Sequence, residues 1–323
     1  MVVTSQPLAA QAGLSMLTKG GNAADAAIAT AIALTVVEPT GNGVGSDAFA
    51  ILWDGEKLHG LNASGRSPTD WSPERFAGLE EMPIHGWESV TVPGAVSAWV
   101  SISERFGKLP FEALFEPAIS YAQNGFIVSP KIAQLWARGL GILSKQPGFA
   151  DHFAPNGQTP QAGERFSNPS LAQTLRQIAE TRGKAFYEGA LAQAIVTSSK
   201  AHGGAMTLDD LAAHKPDWCG TISKGFDDVT LHEIPPNGQG IAALMALGIL
   251  SHTDIRQKDA DDPLAIHLQI EAMKLALWDA EEYVADGDHM AAVTADDLLN
   301  DDYLAARAKP VSYTHLRAHE THD

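Results

Sequence analysis

A chain of 323 residues is long enough for two domains of ~150 residues, or for one large one. With 45% apolar and 19% charged residues it can bury a sizeable core, which excludes global disorder. Acidic residues outnumber basic ones 39 to 22, for a net charge of −17. With no basic block, neither nucleic acid nor an anionic membrane surface is an expected partner. The single Cys219 can make no internal disulfide, and without a CxxC or CxxH pair it reads as a small core residue rather than a zinc ligand. No apolar run reaches the ~20 residues of a membrane span, since the stretch 23–37 is shorter and carries Asp25.

In chain order, Val2-Val3-Thr4 reads as a strand without the basic and apolar regions of a signal peptide. That points to a cytoplasmic protein, or to a periplasmic one whose first residues are not included. Pro7 to Lys19 has helical apolar spacing and is stopped by Gly20-Gly21. Asn22 caps an alanine-rich helix through Val37. A glycine loop, 41–47, leads to Ala48–Trp53, a strand apolar enough to be buried on both faces, and Asp54-Gly55 turns it into a partner strand, 57–63. Residues 68–215 read as mainly helical, with helices near 95–106, 111–124, 171–181 and 191–201. The Gly-, Pro- and Gln-rich stretch 146–167 reads as a surface excursion. Thr207 caps another helix with Asp209 and Asp210 in its first turn. Strands near 220–224 and 229–234 follow, then an apolar helix at 241–250. A long helix, 263–283, has Ile266, Ile270, Met273 and Leu277 in one stripe. Strands and helices mix without βαβ alternation, so the fold class expected is α+β.

Two local patterns bear on chemistry. The loop Gly41 to Gly45 follows a helix and opens a strand, whereas a dinucleotide fingerprint follows a strand and opens a helix. Its glycines therefore read as a tight turn or a close backbone approach. Ser46 lies in no GxSxG elbow, which removes the α/β-hydrolase reading. Arg66, in Ser64-Gly65-Arg66-Ser67-Pro68, stands just after a strand. An arginine there can hold a carboxylate by a two-point fork, or be a solvated or structurally paired residue.

The pieces Gly20 to Ala27, Glu38-Pro39 with the glycine loop, Ser64 to Pro68, Val92-Pro93-Gly94, Asn124-Gly125-Phe126, Phe186 to Gly189, Leu208 to Leu211 and Pro235-Pro236 before Gly238 and Gly240 occur in an order that resembles the γ-glutamyltranspeptidase family. The likeness spans about residues 2–309. It implies an N-terminal-nucleophile hydrolase fold, a four-layer αββα sandwich. It also implies self-cleavage into a large and a small subunit, with a threonine freed at the start of the small subunit as nucleophile. The function implied is transfer or hydrolysis of γ-glutamyl groups, as in glutathione hydrolysis, with no cofactor and no metal. The alternatives are a glutaryl-type acylase of the same superfamily, or a non-catalytic fragment. Arg66 falls where the family places the arginine that grips the donor α-carboxylate. The glycine loop falls where the family has an interior packing turn.

The Thr-Thr-His start of a small subunit is not found in the sequence. Residues 1–310 thus read as an incomplete large-subunit region, one domain with a helical middle, expected to be inactive alone and to require its small subunit. Thr314-His315-Leu316 only faintly echoes the missing start. The tail 311–323 resembles a translated sequencing-library adapter and is expected to be non-native or disordered. Its His315, His319 and His322 would suit a metal only if helical.

Overall fold

The computed structural model describes residues 1–290 and 292–311. In chain order its α-helices and strands begin with α1 (Pro7–Thr18), α2 (Ala23–Val37), β1 (Ala48–Trp53) and β2 (Leu58–Ala63). The middle carries α3 (Ala95–Phe106), α4 (Glu116–Asn124), β3 (Phe126–Ile127), α5 (Pro130–Leu143), α6 (Phe149–Phe153) and β4 (Arg165–Phe166). It continues through α7 (Pro169–Glu180), α8 (Lys184–Tyr187), α9 (Ala190–Ala201) and α10 (Leu208–Ala213). The last part holds β5 (Asp217–Trp218), β6 (Ile222–Phe226), β7 (Val229–Glu233), α11 (Ile241–Ser251), α12 (Pro263–Tyr283), α13 (Ala295–Leu298) and α14 (Asp301–Ala308). The expected helices and hairpin strands are present. Residues 111–115 form a 3-10 turn ahead of α4. The segment Val2–Thr4 forms no strand.

The chain divides into two compact units, Met1–Ala48 with Ala63–Pro216, and Phe49–Asn62 with the chain from Asp217 on. In the first unit α2 is buried on nearly every side, as a helix apolar all round must be. Its start is a reciprocal box: Asn22 accepts from Asp25 N–H, and Asp25 accepts from Asn22 N–H. The buried Asp25 carboxylate also accepts from the amides of Lys108 and Leu109, so backbone donors surround it. Strands β3 and β4 pair antiparallel, Phe126 opposite Phe166.

In the second unit β1, β2 and β5 form a three-stranded sheet, with Leu61 opposite Trp218. Strands β6 and β7 form a separate hairpin. The core lies between α11 and α12, with Leu298 and Leu304 packed in. Here the expectations for β1 and for Cys219 need correction. Strand β1 alternates between half-buried and exposed residues, and Trp53 is 63% exposed. The α12 stripe of Ile266, Ile270, Met273 and Leu277 is exposed. The helix buries its other face, through Ala265, Leu268, Ala272, Leu275, Ala276 and Ala280. Cys219 is also exposed, not a core residue.

Two backbone crossings in the first unit place the residues of interest. Gly65 has φ +78°, and a Cβ there would stand 1.7 Å from the carbonyl oxygen of Val92. A Cβ on Gly94 would stand 1.9 Å from the carbonyl oxygen of Ala63. Segments 63–66 and 92–94 therefore touch backbone to backbone, which only glycine allows. The loop glycines differ. Gly45 has open space where a Cβ would go, and both Gly41 and Gly45 are exposed, so no interior packing turn is seen there.

Gly65→Ala is expected to destabilise the chain by about 2 kcal/mol or more. Gly45→Ala is expected to stay within about 0.5 kcal/mol of the wild type. Urea unfolding followed by circular dichroism measures both, and equal effects would contradict the crossing.

Candidate functional site

Arg66 leaves the chain three residues after β2, on the outer side of the crossing. Its carbonyl oxygen accepts a 2.9 Å hydrogen bond from Val92 N–H, so its backbone is fixed on the side of Gly65. Pro68 is buried, and Thr69 is tied to Asp210. The Asp210 Oδ1 accepts from Thr69 N–H at 2.9 Å and from Thr69 Oγ1 at 2.6 Å. The Arg66 side chain itself is exposed. With Thr69, Val92, Asp210 and His214 it lines a small pocket of about 100 Å³.

The other strand of the crossing starts α3. Gly94 has no side chain to cap that helix, so its first amides need other acceptors. The Ser46 carbonyl oxygen supplies one, accepting from Gly94 N–H at 3.1 Å and from Ala95 N–H at 2.9 Å. The Tyr187 phenol supplies the second: it accepts from Ser97 N–H at 3.0 Å and donates to the Pro93 carbonyl oxygen at 2.8 Å. Burial, the largest influence, pushes the Tyr187 pKa up to about 12, against a smaller lowering by its bond from Ser97. The His214 ring stacks on the Tyr187 ring at 5.4 Å.

Ser97 Oγ and His214 Nε2 lie 2.9 Å apart, which invites a nucleophile–base reading. The serine donates its proton to the Gly94 carbonyl oxygen at 2.7 Å. Its oxygen therefore accepts from His214 Nε2–H, and the pair is structural rather than an activated nucleophile. A larger cleft of about 530 Å³ shares His214 with the Arg66 pocket and is lined also by Ser97, Tyr187 and Lys215.

Asp210 is buried. Desolvation acts to raise its pKa, but its hydrogen bonds from Thr69 and Thr207 outweigh that and hold the carboxyl below its usual range. Among the described residues no group of three or more His, Cys, Asp or Glu side chains gathers as a metal would need. The tail histidines His315, His319 and His322, and Thr314, lie outside the described residues. No helix among the described residues is long and apolar enough to cross a membrane.

The sequence profile of the family described as Gamma-glutamyltranspeptidase matches residues 9–323. The chain belongs to that family. It is 36% identical over 321 residues to the Glutathione hydrolase-like YwrD proenzyme of Bacillus subtilis (strain 168), covering 98% of this chain and 61% of that protein. Among solved structures, the cephalosporin acylase from Bacillus halodurans superposes with a TM-score of 0.90 at 45% identity, over 95% of this chain and 59% of that one. The gamma-glutamyltranspeptidase from Pseudomonas nitroreducens complexed with L-DON gives 0.91 at 29% identity, over 98% of this chain and 96% of that one. The fold is thus the α+β fold of N-terminal-nucleophile hydrolases, an enzyme class. The chain spans about three fifths of the YwrD relative it matches.

Tyr187→Phe removes the acceptor of Ser97 N–H and the donor to Pro93. The expected loss is about 1–3 kcal/mol in thermal or urea unfolding at neutral pH. Because the folded phenol titrates near 12 and an unfolded one near 10, its contribution is present below pH ~10 and is lost as pH rises through about 12. The stability difference between wild type and Tyr187→Phe is therefore expected to shrink above pH ~10. A constant difference from pH 7 to pH 12 would contradict this.

Proposed function

We propose that this chain is the large-subunit part of a γ-glutamyl hydrolase or transferase, and that Arg66 holds the α-carboxylate of the donor. One observation carries this: Arg66 is presented beside a small pocket from a turn whose backbone is held at Val92 and at Asp210. A guanidinium presented from such a turn can offer two parallel charge-assisted bonds to a planar carboxylate. Membership in the gamma-glutamyltranspeptidase family supplies the donor class, and glutathione is the natural candidate.

In this reading the bond-making groups belong to the family's small-subunit part, the portion of the relatives that the match leaves out. A threonine hydroxyl there attacks the γ-glutamyl carbonyl and its own amine takes the proton. Fixed donors hold the tetrahedral oxyanion; the amide C–N bond breaks as the leaving amine takes that proton, and water or the amine of an amino acid or peptide then displaces the threonine from the acyl ester. Residues 1–311 contribute the grip, with the small subunit as the partner that completes the site. A second reading is favoured by the 45% identity to the protein titled cephalosporin acylase: an amide acylase whose acyl half is a dicarboxylate such as glutaryl. Arg66 would serve either donor.

The test joins this chain after Lys309 to a relative's small subunit and compares two donors, one with and one without the α-carboxylate. Arg66→Ala is expected to lose about 2–5 kcal/mol of donor recognition. That is roughly 30- to several-thousand-fold in kcat/KM on the γ-glutamyl donor alone. Arg66→Lys should restore only part, because a point charge does not reproduce the fork. Equal slowing of both donors would make Arg66 structural, and faster turnover of a glutaryl donor would select the acylase reading.

A further inference from the structure

Asp210 stands at the third position of α10, where a capping-box carboxylate reaches back to the residue before the helix. Its Oδ2 does this, accepting from Thr207 N–H at 2.9 Å and from Thr207 Oγ1 at 2.7 Å. That completes the box with one oxygen. The box at α13 shows the same arrangement: Asp297 Oδ2 accepts from Thr294 N–H at 2.9 Å and from Thr294 Oγ1 at 2.6 Å. Asp297 is exposed, whereas Asp210 is 8% exposed. The difference lies in the second oxygen. Asp210 Oδ1 accepts two further bonds, both from Thr69, 141 residues away in sequence and three residues past Arg66.

We propose that Asp210 is a positioning residue for Arg66: one oxygen caps α10, and the other anchors the far end of the turn that carries the guanidinium. This rests on the carboxylate-gripping reading of Arg66. The near end of that turn is fixed by the Gly65 crossing and by Val92 N–H on the Arg66 carbonyl oxygen. The far end has Thr69, with two donors on one carboxylate oxygen. Holding a binding side chain to within a fraction of an ångström requires that its support be locked in this manner. Asp210 also lines the Arg66 pocket. A carboxylate there would repel an anionic ligand, but its four bonds from the two threonines already stabilise its charge.

That contrast gives the test a sign. If Asp210 acted on the ligand only through its charge, Asp210→Asn would tighten carboxylate binding. If it positions Arg66, the same change weakens binding, because an amide presents N–H groups to one pair of donors and releases one threonine. The experiment titrates the chain, joined after Lys309 to a relative's small subunit, with L-glutamate and with 4-aminobutyrate, which lacks the α-carboxylate, by NMR or calorimetry. The wild type is expected to prefer L-glutamate. Asp210→Asn is expected to lose about tenfold or more in L-glutamate affinity, the scale on which lost supporting bonds weaken other binding sites. Affinity for 4-aminobutyrate should stay unchanged, so the preference collapses, which a merely structural loss does not produce. Thr69→Val removes one bond on the Arg66 side and should give a smaller loss in the same direction. It decides the matter if Asp210→Asn does not fold. Thr207→Val removes a bond on the helix side and should lower the thermal midpoint while keeping the preference. Unchanged or tighter L-glutamate binding by Asp210→Asn, or by Thr69→Val where only that variant folds, overturns the proposal and leaves the Arg66 reading intact. A wild type that does not prefer L-glutamate overturns both.

Discussion

The first unit depends on one steric constraint, the contact between the backbone at 63–66 and the backbone at 92–94. Two glycines permit it, each with a carbonyl oxygen where a side chain would begin. From that contact follow the direction in which Arg66 leaves the chain and the place where α3 starts. Because Gly94 offers no cap, the first amides of α3 take their acceptors from Ser46 and from the Tyr187 phenol. One close approach thus ties together the glycine loop, the Arg66 turn, α3 and α8. A side chain at either glycine would meet a backbone carbonyl oxygen and push the two segments apart, and at Gly65, with φ +78°, it would also strain the backbone.

The resulting division of labour is chemical. The role proposed for Arg66 is to meet a carboxylate with charge and geometry, while Ser97 and His214, the pair that most resembles catalytic machinery, is satisfied internally and supplies rigidity. The proposed carboxylate grip suits a family whose similar members are named both glutathione hydrolase-like and cephalosporin acylase.

Much of this was legible in the sequence, for identifiable reasons. Helices with strong caps, such as those begun by Asn22 and Thr207, announced themselves, and so did the Asp54-Gly55 hairpin. The turn that carries Arg66 was legible because glycine before it and proline two residues after it mark a shaped backbone. Asp210 was seen only as an acid in a first helical turn, because its bond to Thr69 crosses 141 residues and leaves no local pattern. Tyr187 and His214 were hidden for the same reason. The α12 stripe marked its helix correctly, although that helix has two apolar faces: the alanine-rich one packs against α11, while the larger side chains at 266, 270, 273 and 277 face outward. Strand β1 misled, since Phe49, Ile51 and Trp53 are apolar yet exposed. Apolar composition reports what a surface can bury, not which element of the described chain covers it.

The most direct measurement of the central claim is a crystal structure of the protein with bound L-glutamate. The account predicts the α-carboxylate on Arg66, two of its guanidinium nitrogens within about 2.7–2.9 Å of the two carboxylate oxygens. It also predicts that the Val92 bond to the Arg66 carbonyl oxygen and the Thr69–Asp210 bonds are retained. An α-carboxylate bound away from Arg66, or an Arg66 turn that must break from Val92 and Asp210 to reach it, would contradict the account.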